Sequence, residues 1–380
     1  MNLADFFLPV GPSVFSQPLE TSQWGQYIQI FRNRFPAWKR KHLALLGLPN
    51  ASSGQYPADS VRQQLYQFQK GKGAYLIVDL GNLKAQDSEE ATQEVLRQVC
   101  EALLQHQVVP LIVGGSHAHD YAQYMAFARQ ASKMNLVCVD ARIDVSSSEL
   151  LPPSERHLRQ ILTQKPSHLF NFHHLGHQPH LNHTSAREML GAFYYEAYSA
   201  GQIRQDIAEM EPVLRQAHML SIDLRAVRMQ DAPAHPQASL LGLSAEEICQ
   251  LCWFAGQNEE MASLGIYELH PEWDERHKTA SLVALMLWYF TEGYYQRVRV
   301  KDFHSQAFMK YVVSDLDHPS QMVFYKHRAT QKWWMEVPYP PREGNTPAEA
   351  MIVPCSYRDY QAAGQGEVPD RWINTYAKLP

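Results

Sequence analysis

What most constrains this chain is a rhythm in its hydrophobic pattern. Seven short, nearly continuous apolar runs, at residues 42–48, 74–79, 108–113, 135–140, 168–172, 218–223 and 263–268, alternate with longer segments of helical period. Runs without in–out alternation are what strands buried on both faces of a parallel sheet look like. The segments between them, 89–107, 118–132, 154–163, 185–200, 244–256 and 275–295, read as amphipathic helices. At Ser244 a capping box with Glu247 marks one helix start. Alternation of this kind predicts a three-layer α/β/α domain with a mostly parallel sheet of about eight strands. After residue 300 the pattern changes: 322–326 and 332–337 are β-rich around a short polar stretch, which predicts a hairpin, and the tail from 338 to 380 is rich in Pro, Gly and Tyr. The expected organisation is an amino-terminal extension (1–40), the α/β/α domain (41–299), and a carboxy-terminal extension packed on it (300–380).

Composition narrows the function classes. With 380 residues and 45% hydrophobic content the chain can bury a large core, and a formal charge of −5 gives no global pull toward nucleic acid or an acidic membrane. No apolar run approaches the roughly 18 residues of a spanning helix, so no membrane partner is expected. Five cysteines, odd in number and few for the length, suit a reducing compartment, and the expected location is cytoplasmic. Cys249 and Cys252 fall inside an apolar helical pattern and read as core thiols. Histidine, at 18 residues, is abundant enough to suggest metal or proton chemistry.

Ligands of such sheets gather at the carboxyl ends of the strands. There the third run ends in Gly114-Gly115-Ser116-His117-Ala118-His119-Asp120, the fourth in Asp140-Ala141-Arg142-Ile143-Asp144, the sixth in Ser221-Ile222-Asp223-Leu224-Arg225, and the seventh in Glu268. Four strands thus deliver His, Asp, Asp and Glu to one rim, the donor types a metal centre uses. A single Asp after a strand is more often a turn former or a cap.

In order and spacing these segments resemble the ureohydrolase superfamily of arginase, agmatinase and formimidoylglutamase. Supporting matches are Pro57-Ala58-Asp59-Ser60-Val61-Arg62, Gly242-Leu243-Ser244 with Glu247, and Glu268 with Pro271 and Asp274. The resemblance covers about two thirds of the chain and leaves the tail beyond 300 unexplained. It implies an arginase-like fold and, in the family, two Mn ions that activate a bridging hydroxide against a guanidino or formimino carbon. The set for the deeper metal falls on His117, Asp140, Asp144 and Asp223 and is intact. The two positions private to the second metal are Arg142 and Arg225, and guanidinium has no lone pair to offer a cation.

The expectation is therefore at most one Mn ion per chain, or none if both arginines pair with the aspartates and fill the second metal's volume. The leading functional reading is a catalytically inactive family member or one repurposed as a binding protein. The alternative is a one-metal Mn hydrolase of linear amidine C–N bonds, taking a small guanidino or formimino compound. His157, thirteen residues after Asp144, falls where arginase has its proton-shuttle histidine, although a surface place on its helix is the simpler role. Glu268 matches the family's substrate-facing carboxylate, and His119 is an alternative ligand to His117. The histidine-rich run 172–183 reads as a polar loop. The aromatic hairpin of the tail offers a surface for a protein partner or for homo-oligomer formation.

Overall fold

A computed structural model describes residues 2–50, 53–128, 133–299, 302–314, 319–340 and 350–379. Its strands are β1 (Phe7–Leu8), β2 (Gln29–Ile30), β3 (Leu43–Gly47), β4 (Ile77–Leu83), β5 (Val109–Val113), β6 (Met134–Val139), β7 (Leu169–His177), β8 (Glu196–Ser199), β9 (Met219–Asp223), β10 (Ser263–Tyr267), β11 (Phe308–Ser314), β12 (Gln321–His327), β13 (Trp333–Pro338) and β14 (Ala350–Cys355). The first ten form one sheet in the order β1-β4-β3-β5-β10-β9-β6-β7-β8, with β2 also on β4. Only β1 runs antiparallel to its neighbour. All seven runs read from the sequence are strands of this sheet, and the first forty residues, expected as an extension, contribute β1 and β2 to its β4 side.

The continuous apolar runs follow from burial on both faces. In β3, Leu43 and Leu45 enter one core while Ala44 and Leu46 enter the other; in β5, Leu111 and Val113 oppose Ile112 in the same way. Helices Pro57–Leu65, Met210–Arg215, Ala245–Gly256 and Lys278–Tyr294 cover the first face, and Glu89–Leu104, Asp120–Ala128 and His157–Thr163 the second. The Ser244 capping box is formed: Glu247 N–H donates to Ser244 Oγ at 3.2 Å, and Ser244 N–H donates to Glu247 Oε2 at 2.7 Å. The helix read over 118–132 is described as far as Ala128; 129–132 lie outside the described residues.

Two readings are corrected. The segment 185–200 is not one helix, because its helix closes at Gly191 and 196–199 become β8. The histidine-rich run is not a loop: β7 extends to His177, with His173, His174 and His177 buried in it.

The tail forms an antiparallel sheet in the order β11-β12-β13-β14, twice the expected hairpin, followed by helices Tyr357–Gly364 and Asp370–Tyr376. Met322, Phe324, Met335 and Trp372 form its own core. It is tied to the larger sheet by Arg215, whose Nη2 donates to the carbonyls of Trp333 (2.9 Å) and Cys355 (3.2 Å), and by Asn374 Nδ2, which donates to Glu196 Oε1 at 2.7 Å.

Candidate metal centre

Four adjacent strands, β5, β10, β9 and β6, set the site. Their registers align Val113 with Ile266, Tyr267 with Asp223, and Ile222 with Val139, so the residues after each strand leave the sheet at one level. Beyond β5 the chain turns through Gly114 and Gly115 at φ +90° and +74°. A Cβ on Gly114 would stand 3.0 Å from the Leu48 carbonyl oxygen, so the left-handed turn and the close approach both require glycine. This turn starts the short helix that carries His117.

His117 Nδ1 faces Asp223 Oδ2 at 3.3 Å and Asp140 Oδ2 at 3.5 Å, with no hydrogen-bond partner of adequate geometry. Its Nε2 lies 2.9 Å from Ser221 Oγ, which in turn donates to Asp120 Oδ2 at 3.2 Å. Asp120 Oδ1 meets His157 Nδ1 at 2.7 Å, and His157 Nε2 stands 3.7 Å from Asp144 Oδ2. Every one of these side chains is buried. His157 is thus not on the surface, as its place on an amphipathic helix suggested; it starts that helix pointing inward.

Arg225 closes the cluster. Its Nε donates to Asp140 Oδ1 (3.0 Å) and its Nη2 to Asp140 Oδ2 (2.7 Å), a bidentate fork. The same Nη2 donates to Asp144 Oδ2 at 2.6 Å and stands 3.7 Å from Asp223 Oδ2. One nitrogen therefore sits among the oxygens of three aspartates. Gln237 receives the outer Nη1 at 3.2 Å, and the Arg225 side chain is 4% exposed. Arg225 thus pairs with the aspartates. Arg142 differs: its side chain, 32% exposed, reaches outward to Glu155 Oε2 at 3.2 Å, and only its backbone N–H bonds Asp140. The physical reason is local, because residue 142 lies on the turn after β6 and the His174 ring, 2.9 Å from its carbonyl, packs beneath that turn.

The electrostatics follow from burial and pairing. Burial would raise Asp140, yet the Arg225 charge and the nearby His117 ring hold its carboxyl well below the usual range. Asp223 is also lowered, by Arg225 and His235 against burial. Asp144 goes the other way: burial and the Asp140 charge push it up to about 7. Burial would lower both imidazoles, but Asp140 and Asp223 raise His117 well above its ordinary value, and Asp120 raises His157.

Glu268 follows β10 in the left-handed region at φ +61°, a conformation strained for a residue with a Cβ. Its Oε1 accepts the His117 backbone N–H at 2.8 Å, and its Oε2 lies 3.1 Å from His270 Nε2. His119, weighed as an alternative ligand, turns its Nδ1 to the Ser116 carbonyl at 2.8 Å. Sequence reasoning missed Asp120, His235 and His270. Asp120 closes the motif that supplied His117 and was legible there, whereas nothing local marks the other two.

Ligand atoms bound about 2.1 Å from one octahedral cation stand about 3 Å apart along its edges. The unpaired His117 Nδ1 and its spacing to the Asp140 and Asp223 oxygens are those of metal donors, and His117, Asp140 and Asp144 bring ligand atoms near one point, where Arg225 Nη2 already bonds Asp140 Oδ2 and Asp144 Oδ2. The volume between Asp140, Asp144 and Asp223 holds Arg225 Nη2, a cationic nitrogen with no lone pair.

A family model described as the Arginase family matches residues 50–291, more than half of the chain. Among curated proteins, a formimidoylglutamase of Geobacillus sp. (strain WCH70) is 28% identical over 229 residues, spanning 55% of this chain and 67% of that protein. One from Photorhabdus laumondii is 25% identical over 264 residues, 66% of this chain and 81% of its own. Among solved structures, the Bacillus subtilis formimidoylglutamase superposes with a TM-score of 0.64 at 22% identity, covering 77% of this chain and 97% of that one. The Trypanosoma cruzi formiminoglutamase, solved with manganese, gives 0.63 at 18% identity over 69% of this chain and 96% of its own. The fold is shared with these proteins.

Proposed function

The chain belongs to the arginase family, and from that premise we propose that it is a non-catalytic or repurposed binding member in which Arg225 takes the place of the second manganese ion. The observation that carries this reading is the buried Arg225 fork on Asp140, extended by Nη2 to Asp144. Three carboxylates crowded at one rim need positive charge, and Arg225 together with His117 supplies it from the chain itself. A two-ion site needs lone pairs at positions 142 and 225, and neither arginine has one. Several kcal/mol of transition-state stabilisation would go with the lost ion, at about ten-fold in rate per 1.4 kcal/mol. Asp140, Asp144, Asp223 and Arg225 are all buried, and Arg225 already bonds the Asp140 and Asp144 oxygens a ligand would need, which supports the same reading.

A second reading is favoured by the unpaired His117 Nδ1. In it, His117, Asp140, Asp144 and Asp223 hold one manganese ion, which would act as a Lewis acid on a linear amidine. Glu268 would then bind the cationic group of a guanidino or formimino compound, and His157 would move the proton. The two readings separate on release of urea or formamide from arginine, agmatine and formiminoglutamate, with and without Mn. The expected result is no turnover by the folded protein; turnover that collapses on Asp140→Ala would overturn the non-catalytic reading.

Two further proposals accompany it. No helix among the described residues is long and apolar enough to cross a membrane, and the five cysteines are buried and unpaired, which supports a cytoplasmic location. Residues 300–380, a carboxy-terminal extension packed on the 41–299 domain, take a protein partner or a second copy. Val312, 51% exposed on the terminal strand β11, supports that use. A monodisperse monomer that captures no partner would count against it.

A further inference from the structure

The rim occupies the carboxyl ends of the strands; at their amino ends lies a cavity of about 630 Å³. It opens between the starts of β6 and β9, represented by Asn135 and His218, and the four-stranded sheet, represented by Lys332, Trp334 and Ile352. Its volume is that of a small-molecule site, and its place between two packed units is where such sites recur. Much of its wall comes from residues after 291, where the family match ends, so the cavity is not a property that the family match carries.

The cavity is chemically divided. Its apolar wall is built on Trp334, 7% exposed, with Phe303 edge-on to it at 5.5 Å between ring centroids. The Arg215 guanidinium lies 4.1 Å from the centroid of the Trp334 ring, and its bonds to the Trp333 and Cys355 carbonyls fix the wall in place. Beside this wall, Lys332 Nζ is paired with Glu211 at 2.9 Å and lies 3.4 Å from Gln257 Oε1. An ammonium has three donors, so one is left for a ligand. From the larger sheet comes Glu260, exposed, whose carboxylate enters no hydrogen bond or ion pair among the described residues. Its position is nonetheless fixed: the Glu260 N–H donates to Asn258 Oδ1 at 2.8 Å, and the buried Asn258 is anchored on the Leu214 and Ala217 carbonyls.

We propose that this cavity binds a free α-amino acid with an apolar side chain. Its carboxylate meets Lys332, its ammonium meets Glu260, and its side chain packs on Trp334 and Phe303. An anion alone would leave Glu260, whose charge reaches Arg297 and His218 without a direct contact, with no bonded partner, and a cation alone would leave the third Lys332 donor unused. Charge-assisted contacts of both signs, set around one aromatic wall, select the zwitterion.

Isothermal titration calorimetry on the full chain tests this with L-phenylalanine, L-leucine, phenethylamine (no carboxylate) and 3-phenylpropionate (no ammonium). The expected result is saturable one-to-one binding of an amino acid with Kd at or below about 1 mM, and at least ~10-fold weaker binding of both truncated analogues. Glu260→Gln and Lys332→Met should each weaken binding by at least ~10-fold with unchanged circular dichroism. Because Glu260 is exposed, its variant carries the test even if Lys332→Met fails to fold. The proposal is overturned by no saturable heat up to about 10 mM, by a truncated analogue binding as tightly as the amino acid, or by wild-type affinity in Glu260→Gln.

Discussion

Replacing Arg225 by alanine perturbs the one cation that three buried aspartates share. Its side chain is 4% exposed and those of Asp140 and Asp144 are 1% and 4% exposed, so solvent screens these pairs little. At an effective dielectric of about 20, one pair near 4 Å contributes about 4 kcal/mol. Breaking a buried pair by removing one partner costs about 3–5 kcal/mol, because the remaining charge stays buried. Arg225→Ala is therefore expected to lose about 3–5 kcal/mol of stability in chelator, read from urea unfolding near neutral pH. Manganese should then restore the variant, since the vacated volume is lined by carboxylates; at a concentration of 100 Kd, binding to the folded state alone adds about 2.7 kcal/mol. The wild-type chain should gain less, because Arg225 Nη2 already holds the Asp140 and Asp144 oxygens. Arg225→Ala within about 0.5 kcal/mol of wild type, or equal stabilisation of both proteins by manganese, would show that Arg225 does not hold these carboxylates in place of a metal.

Arg142→Ala should change stability by less than about 1 kcal/mol and leave metal content unaltered, because its pair with Glu155 is part-exposed and outside the cluster; parallel melts and elemental analysis check this. Arg62→Ala should be far more damaging, by about 3–5 kcal/mol, since Arg62 and Asp79 are both fully buried and Arg62 also donates to Asn82 and the Gly81 carbonyl. In chelator, thermal stability should fall from pH 6 to pH 9. His117 and His157 are raised above 6.5, so their contribution is present below that pH and fades as pH rises through their folded values. Asp144, raised to about 7, adds the same sign, whereas Asp140 and Asp223 are lowered and lose their contribution only as pH falls below about 4. A melting temperature that climbs steadily from pH 6 to pH 9 would contradict this.

The parts of the fold that were legible in the sequence are those where one physical effect dominates. Strands buried on both faces must be apolar throughout, so β3 to β7, β9 and β10 are visible as runs. β8 was not visible, because its four residues are only half-buried and its polar groups find distant partners, Glu196 in Asn374 and His173. The end of β7 was hidden for a related reason: His173, His174 and His177 look like loop residues until the strand beside them and the carbonyl of Arg142 enclose them. At the rim, strand ends fixed which backbones converge, and with them His117, Asp140, Asp144, Asp223 and Glu268. Side-chain direction was not fixed. Arg142 and Arg225 occupy parallel places in two motifs, yet one turns to Glu155 and the other into the carboxylates. His157, taken for a surface residue, is drawn inward by Asp120, a partner thirty-seven residues away.

Whether Arg225 stands where a second metal would is decided by elemental analysis of the full chain after saturation with excess Mn and removal of unbound metal. At most one manganese ion per chain is expected. Two bound ions per chain would contradict it.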